Sequence, residues 1–404
     1  MVHFYCRKAF SRISGLSTSP GNAALTLHGP ASRRASGHGL VCDLRAGFSL
    51  VEVLVVISLF TVLMSIALPA MNRARESGRE AQCKSNLRQL GLGLIQYADS
   101  HSTVSSGAWD WKLDGCISEV GWVADLVPMG ILPSQLNCPS SNVQLHEQYQ
   151  TMLDFDPTTN QCANSLGTPI RPSTRSPGIN VCRELSAVSS PSDRTEILAT
   201  LLEDGYNSNY VATWLMTRSD PRIDSSGALM GGTAQCPPSL DSRNSTVGPV
   251  NKARIGSSAI SSTIVPMLAC AQMGDYSKAI LSHDVGPFGA GSRLSKGMTD
   301  GPLDPNTSRP PVMGTGTGMD SWWPYWSRTI QDYRAFGAVH GGRACNVLFL
   351  DGSVGTFTDT NSDGLLNNGF RASSTNQFID DTIELPRARI YSGWTLNPSR
   401  IPRR

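Results

Sequence analysis

A run of apolar residues dominates the first quarter of the chain. From Phe48 to Ala70 the sequence carries a single charged residue, Glu52, in 23 positions. A helix rises about 1.5 Å per residue, so this run covers the roughly 30 Å hydrocarbon core of a bilayer. The pattern predicts a membrane-spanning helix over residues 48–71, and an ordinary signal peptide or signal anchor is its simplest interpretation.

The apolar period changes directly after this run. Leu87, Leu90, Leu94 and Tyr97 recur at three- and four-residue steps, with Arg, Glu, Lys and Gln on the other faces. This spacing places the four side chains on one stripe of a helix. Because no linker residues intervene, we expect the membrane helix to continue over residues 72–101 as an amphipathic segment, rather than a separate surface helix to begin there.

Beyond residue 101 the apolar runs are short and bounded by turn residues. The chain contains 38 Gly and 25 Pro, a composition that favours a turn-rich, mainly β region over a helical one. We therefore predict an α+β fold in which a long N-terminal hydrophobic helix packs on a mainly antiparallel β head, residues 102–404. The pattern leaves open whether this head has one subdomain or two.

The clearest β signal lies at residues 336–357. Gly341-Gly342 can turn the chain, a short apolar run follows, and Asp351-Gly352 supplies a second tight turn before another short run. Turn residues at these offsets are typical of a β-hairpin.

Glu52 changes the interpretation of the apolar run. A carboxylate in an otherwise apolar membrane helix costs a few kcal/mol unless it finds a partner. The residues Gly47-Phe48-Ser49-Leu50-Val51-Glu52 resemble the processing site of type IV pilins and of the pseudopilins of type II secretion systems. The resemblance implies a pilin-like fold for the chain as a whole.

The resemblance also implies a role for each residue of the motif. Prepilin peptidase would cut between Gly47 and Phe48, residues 1–47 would be the leader, and the new N-terminal amine of Phe48 would be methylated. Glu52 would meet the N-terminal amine of a neighbouring subunit during assembly. Pro69 stands where such helices often carry a kinking proline, since proline removes one backbone hydrogen bond.

The leader departs from the family pattern because it is long. No Met lies between Met1 and Met64, so translation from a non-Met codon near Leu40 or Val41 and a true extended leader both remain open.

Basic residues near the apolar run do not fix its orientation. Those that follow it outnumber those just before it, which is adverse under the positive-inside rule. The processing motif overrides this rule because the peptidase acts on the cytoplasmic face. We expect a single pass through the cytoplasmic membrane, with the leader inside the cell and the head in the periplasm. The basic residues after the run are Arg73, Arg75, Arg79, Lys84 and Arg88.

Cysteines are dispersed through the remaining chain. Eight lie beyond the leader, and none forms a C-x-x-C pair, so we do not expect zinc. An even number of scattered cysteines outside the membrane fits disulfides in an oxidising compartment, with free buried thiols as the alternative. They are Cys83, Cys116, Cys138, Cys162, Cys182, Cys236, Cys270 and Cys345.

Two groups of tryptophans could form aromatic platforms for carbohydrate. Buried core is the commoner role of such clusters, and we expect it for both groups. The first is Trp109, Trp111 and Trp122, and the second is Trp322, Trp323 and Trp326.

His340, Asp351 and Gly352 resemble the C-terminal signature of large prepilin-like, DUF1559-like proteins, in which a His is followed by nine residues and Asp-Gly. Here ten residues separate His340 from Asp351. His and carboxylate can form a catalytic dyad, but the chain has no G-x-S-x-G nucleophile motif. We expect two turn-fixing residues and no enzymatic activity.

Residues 359–364 match the start of a calcium loop, with oxygen donors at alternate positions in Asp359, Asn361 and Asp363. The twelfth position is Phe370 rather than Glu, which excludes an EF-hand. An acid from Asp380, Asp381 or Glu384 could complete a looser calcium site, and a plain Asx-rich turn is the alternative.

Together these patterns indicate a structural subunit of a type II secretion or pilus-like assembly. Its expected partners are prepilin peptidase, other pilin-like subunits and the cytoplasmic membrane. The net charge of +2 does not point to nucleic acid. The alternative is a membrane-tethered module that binds glycan or calcium and does not polymerise.

Overall fold

The computed structural model describes residues 49–154, 166–167, 180–234, 236–274, 279–314, 316–373 and 377–397. Contacts divide the chain into two units, Met1–Val62 and Leu63–Arg404. The sheets and the hydrophobic core lie in the second unit.

Eight α-helices occur among the described residues. They are α1 (Leu50–His101), α2 (Trp122–Leu126), α3 (Gln148–Asp154), α4 (Val181–Ala187), α5 (Pro191–Glu203), α6 (Trp214–Thr217), α7 (Lys252–Gly256) and α8 (Met319–Trp326). Pro69 lies inside α1. The helix ends at His101 because Ser102 takes a left-handed conformation, with φ of 65°, and its N–H bonds to the carbonyl of Ala98 at 3.1 Å.

The same described residues contain eight short strands. They are β1 (Leu145–His146), β2 (Tyr210–Ala212), β3 (Pro266–Cys270), β4 (Leu294–Ser295), β5 (Asp300–Leu303), β6 (Ile330–Asp332), β7 (Ala344–Phe349) and β8 (Val354–Thr358). One four-stranded antiparallel sheet has the order β2-β3-β7-β8. β5 and β6 form an antiparallel pair, whereas β1 and β4 pair in parallel. The architecture is α+β, as predicted.

The predicted hairpin is confirmed as β7 and β8, which pair from Ala344↔Thr358 to Leu348↔Val354. Gly341 and Gly342 both have left-handed φ angles, 60° and 70°, a conformation that glycine adopts without the steric penalty of a side chain.

The predicted apolar stripe of α1 packs on this hairpin. Leu87, Leu90 and Leu94 are fully buried and Tyr97 is nearly so. Gly91 on the same face lies against β7, since a Cβ there would fall 2.8 Å from Cδ1 of Leu348. The stripe therefore joins α1 to the main core.

Both tryptophan groups lie mainly in the core, as expected. Trp109, Trp111 and Trp122 are fully buried in the main core. Trp322 and Trp326 are buried in a second cluster, where Trp323 packs at its edge.

Candidate functional site

The start of α1 is capped by its own side chains. Ser49 Oγ accepts a hydrogen bond from the N–H of Val51 at 3.2 Å. Glu52 Oε2 accepts one from the N–H of Ser49 at 3.4 Å. This reciprocal arrangement is a capping box, which satisfies two backbone donors at a helix N-terminus. Glu52 therefore has a local role at the start of the helix, independent of any partner.

The apolar part of α1 is exposed along its whole length. Every residue from Leu50 to Met71 is exposed, and the helix is long and apolar enough to cross a membrane, with a mean hydropathy of 2.5 over its most apolar window. The predicted cleavage residues Gly47 and Phe48 lie outside the described residues.

The candidate calcium loop is held together by hydrogen bonds of its own side chains. Asp359 is buried, and its two carboxylate oxygens accept from the N–H groups of Ser362 at 2.6 Å and Gly364 at 2.9 Å. Asp363 Oδ1 accepts from the N–H of Leu365 at 2.9 Å. These are the bonds of an Asx-rich turn, and calcium stays a prediction.

Asn361 links this loop to one of the candidate additional acids. Its side-chain amide donates to Asp380 Oδ1 at 2.9 Å. This bond, followed by that from Thr382, lowers the pKa of Asp380 below its ordinary value.

His340 and Asp351 serve different parts of the hairpin. Asp351 is exposed, and its Oδ1 accepts from the N–H and hydroxyl of Ser353 at 3.0 and 2.7 Å. This fixes the turn in which Gly352 has a φ of 83°. His340 is buried, and the neighbours of its ring lie elsewhere. The expected turn-fixing role is thus confirmed for Asp351.

The ring of His340 faces three thiols. Cys83, Cys138, Cys270 and His340 form a buried group whose ligand atoms all lie within 4.8 Å of one another. We call these four residues the Cys3His cluster. Among the described residues it is the one group of at least three His, Cys, Asp or Glu side chains that could hold a metal ion.

Four separate segments supply the cluster. Cys83 lies on α1 one turn before Leu87, on the buried face of the helix. Cys138 follows a short 3-10 helix, and its backbone is held by Asn209, whose Oδ1 accepts from the Cys138 N–H at 2.7 Å. Cys270 is the last residue of β3. His340 directly precedes the turn into β7.

Short distances connect the ligand atoms. The sulfur of Cys270 lies 3.4 Å from that of Cys83 and 3.8 Å from that of Cys138. Nε2 of His340 lies 3.5 Å from the sulfurs of both Cys138 and Cys270.

The opposite side of the His340 ring is held by polar groups. Its Nδ1 lies 3.0 Å from Ser140 Oγ and 3.3 Å from Glu76 Oε1. Ser140 also donates to Glu76 at 2.7 Å. Burial lowers the pKa of His340, but hydrogen bonds and charges from Cys83 and Glu76 outweigh burial and raise the pKa above its ordinary value.

The thiols have unequal proton affinities. Hydrogen bonds from Cys138 and then from Cys270 hold the pKa of Cys83 far below its ordinary range. Burial raises the pKa of Cys270.

Comparison with known protein families gave two matches. Residues 43–68 match the prokaryotic N-terminal methylation motif. Residues 72–236 match a family described as a protein of unknown function, DUF1559. The chain is a pilin-like protein with a prepilin-type N-terminus. Neither curated proteins nor solved structures gave a match.

The two matches bear on the candidate residues unequally. The methylation motif of this pilin-like protein includes Gly47, Phe48 and Glu52, and with the apolar helix it indicates membrane anchoring. The segment from His340 to Gly352 lies outside both matched ranges.

Disulfide bonding is more restricted than the cysteine count suggested. Cys116 and Cys182 form a disulfide, and Cys236 is disulfide-bonded. Four described cysteines are instead free and buried: Cys83, Cys138, Cys270 and Cys345. Both alternatives from the sequence, disulfides and buried thiols, occur in this chain.

Sequence reasoning missed the Cys3His cluster. The absence of C-x-x-C excluded adjacent ligand pairs only, and the four donors are spread between positions 83 and 340. One feature of the sequence did indicate a buried thiol: Cys83 falls on the same helical stripe as Leu87, which predicts that its side chain faces the core.

Proposed function

We propose that this pilin-like protein is a non-enzymatic, membrane-anchored subunit of a type II secretion or pilus-like assembly. Prepilin peptidase removes residues 1–47 and the amine of Phe48 is methylated. The chain crosses the cytoplasmic membrane once, with its head in the periplasm. The observation that carries this proposal is the prepilin-type methylation motif at the start of an apolar, exposed helical segment.

In this proposal the carboxylate of Glu52 pairs with the N-terminal amine of a neighbouring subunit. An exposed carboxylate on a helix face that enters lipid is costly unless it is paired. The capping hydrogen bond to Ser49 does not compensate the negative charge of Glu52, since a neutral Gln would form the same bond equally well. This difference between charge and capping allows the two roles to be separated.

The experiment compares three variants by co-purification of the full chain with its assembly partners from membranes. Glu52→Val removes both charge and cap, Glu52→Gln removes only the charge, and Ser49→Ala weakens only the cap. We expect both Glu52 variants to insert in the membrane but to lose their partners, while Ser49→Ala retains them. If Glu52→Gln co-purified at the wild-type level, the carboxylate would have no pairing role and the tethered module would be the better interpretation.

Processing is checked on the same material by intact mass. We expect Gly47→Ala to be cleaved largely as the wild type, because Ala is the nearest small residue, whereas Gly47→Leu should leave residues 1–47 attached. Normal cleavage of Gly47→Leu would contradict the assigned scissile bond.

A further inference from the structure

We propose that the Cys3His cluster binds one Zn²⁺ ion and is a structural metal site. The argument is independent of the proposed assembly role, because every residue involved lies in the second unit and none belongs to the prepilin motif.

The spacing of the donor atoms fits a tetrahedral zinc site. With Zn–S of about 2.3 Å and Zn–N of about 2.0–2.1 Å, tetrahedral geometry separates two sulfurs by about 3.8 Å and a sulfur from a nitrogen by about 3.6 Å. Two of the three sulfur pairs are 3.4 and 3.8 Å apart, two of the three sulfur–nitrogen pairs are 3.5 Å apart, and all four donor atoms lie within 4.8 Å of one another. The side chains thus surround a point at which an ion could touch all four donors.

The donor set selects the type of ion. Three thiols and an imidazole are soft or borderline ligands, which suit zinc and exclude calcium or magnesium, whose ligands are oxygens. All four residues are buried. Four protein donors fill a tetrahedral shell, so no open position is left for water or substrate, as is usual for structural rather than catalytic zinc.

The surroundings of His340 match those of a metal-bound histidine. Such a ring commonly donates its second N–H to a carboxylate, which fixes the tautomer and leaves the other nitrogen free to ligate. Nδ1 of His340 faces Glu76 and Ser140, and Nε2 faces the thiols. Glu76 lies on α1 and also accepts from the N–H of Gly341 at 3.2 Å, so it positions the histidine and the turn beside it.

Polar groups are also placed to offset the charge of three thiolates. The hydroxyl of Tyr210 donates to the sulfur of Cys83 at 3.6 Å. The side chain of Asn346 also hydrogen-bonds to Cys83, and its Oδ1 accepts from Thr356, which turns the Nδ2 donor toward the cluster. Donors directed at ligating sulfurs lower the cost of burying their charge.

A disulfide between Cys83 and Cys270 is the rival use of these residues. It would consume two thiols and leave Cys138 and the oriented His340 without a role. Zinc uses every member of the cluster and protects the thiols from oxidation, because their sulfur lone pairs are then coordinated. The rival makes a distinct prediction, since it lowers the mass of the chain by two hydrogens.

The first test uses the full wild-type chain purified in detergent. Metal analysis should give one zinc per chain. Replacement by Co²⁺ should give the intense visible absorption of tetrahedral cobalt and a thiolate-to-metal charge-transfer band in the near ultraviolet. A chain that binds neither ion after incubation, a six-coordinate cobalt spectrum, or a mass showing the Cys83–Cys270 disulfide would each overturn the proposal.

Variants test the ligand assignment with a close control. Cys138→Ser and His340→Gln should each lower zinc content from one equivalent to a small fraction, whereas Cys345→Ser should retain it. Cys345 is also buried and free, and it contacts the carbonyl of Cys270 at 3.7 Å without belonging to the cluster. Equal loss in Cys345→Ser would mean that any buried change disrupts the fold, and the cluster would lose its special status.

Glu76→Gln tests the positioning role. Loss of such an outer-shell carboxylate typically weakens metal affinity 10- to 100-fold, so zinc should still bind but should transfer to a competing chelator at a lower chelator concentration. An affinity equal to that of the wild type would remove Glu76 from the site.

Discussion

His146 shows how burial fixes the charge state of a single residue. The side chain is fully enclosed, its ring packs edge-on against Trp109, and Nδ1 accepts from the N–H of Gln148 at 3.1 Å. Burial lowers its pKa to about 3 from an ordinary value of 6.5, because the enclosed site disfavours the charged imidazolium. The histidine is therefore neutral in the folded protein at any physiological pH.

This burial predicts a loss of stability in acid. Between pH 6.5 and about 3 the unfolded chain binds a proton at His146 that the folded chain does not, so stability falls as the pH falls. At pH 4.5 the loss from this residue is about 2–3 kcal/mol. We expect denaturant unfolding of His146→Gln, which keeps an acceptor but does not titrate, to show a decline from pH 7 to 4.5 smaller by that amount.

Asp125 has the opposite effect on the pH dependence of stability, and it is present in both the wild type and the His146→Gln variant. Burial raises its pKa to about 6, so the folded state gains relative stability as the pH falls from 6 toward 4. The difference between wild type and His146→Gln cancels this contribution. Parallel pH profiles for the two would mean that His146 is not buried as the structure places it.

The ion pair of Asp114 and Arg218 is a second residue-scale feature. Both side chains are fully buried, and Arg218 Nη1 lies 2.6 Å from Asp114 Oδ1. Asp114 also accepts from the N–H of Ala108 at 2.7 Å. Breaking such a pair by removing one partner leaves an uncompensated buried charge.

We therefore expect Asp114→Asn to lower the free energy of unfolding by about 3–5 kcal/mol, measured by denaturant titration. Glu80→Gln provides the control, because Glu80 and Lys84 form a partly exposed pair at 2.6 Å on α1 and such pairs contribute at most about 0.5 kcal/mol. Similar losses in the two variants would contradict the distinction between buried and exposed pairs.

At the scale of elements, α1 illustrates what periodicity can predict. Leu87, Leu90 and Leu94 at helical spacing predict both the helix and its buried face, because a continuous helix repeats every 3.6 residues. The hairpin was equally predictable from the sequence, because the dipeptides Gly341-Gly342 and Asp351-Gly352 are typical of tight turns and uncommon elsewhere. The many short helices and strands between residues 102 and 330 were not, because their apolar runs are too short to show a period.

Glycines on α1 give a prediction about its packing. A Cβ at Gly93 would lie 2.5 Å from Cδ1 of Ile131 and 2.7 Å from Cδ2 of Leu126. Overpacking costs about 1–3 kcal/mol, which exceeds the gain of about 0.5–1 kcal/mol for replacing a helical glycine by alanine. We expect Gly93→Ala to lower the melting temperature and Gly78→Ala, where no atom lies within 4 Å, to raise it slightly. A stabilised Gly93→Ala would show that the loop carrying Ile131 yields at no cost.

The Asx-rich loop carries the calcium prediction. If Asp359, Asn361 and Asp363 hold an ion, removal of calcium should lower the melting temperature, and calcium but not zinc should restore it. Asp363→Ala should abolish that response, while Asp351→Ala, which alters a turn outside the loop, should retain it. An unchanged melt on removing calcium would leave the loop as a turn held by its own hydrogen bonds.

At the scale of the whole molecule, whether a feature can be predicted from the sequence depends on how far apart its residues lie along the chain. The prepilin motif and the apolar run are local, so the residues themselves identify them. The Cys3His cluster is assembled by the fold from four donors spread between positions 83 and 340 of the chain, and no local sequence pattern predicts that they come together. Which cysteines form disulfides and which stay free could not be predicted for the same reason, since pairing depends on which thiols the fold brings together.

The position of β7 determines how an incomplete chain differs from the full-length protein. β7 lies between β3 and β8 in the main sheet, and its Leu348 covers α1 at Gly91. A nascent chain that has not yet produced residues 344–349 leaves the stripe of α1 uncovered around Gly91, and exposed apolar surface of this kind is prone to aggregation and to binding by chaperones. Complete burial of the stripe therefore requires a chain that includes β7. A truncated chain would expose part of the apolar face of α1, which chaperones could bind.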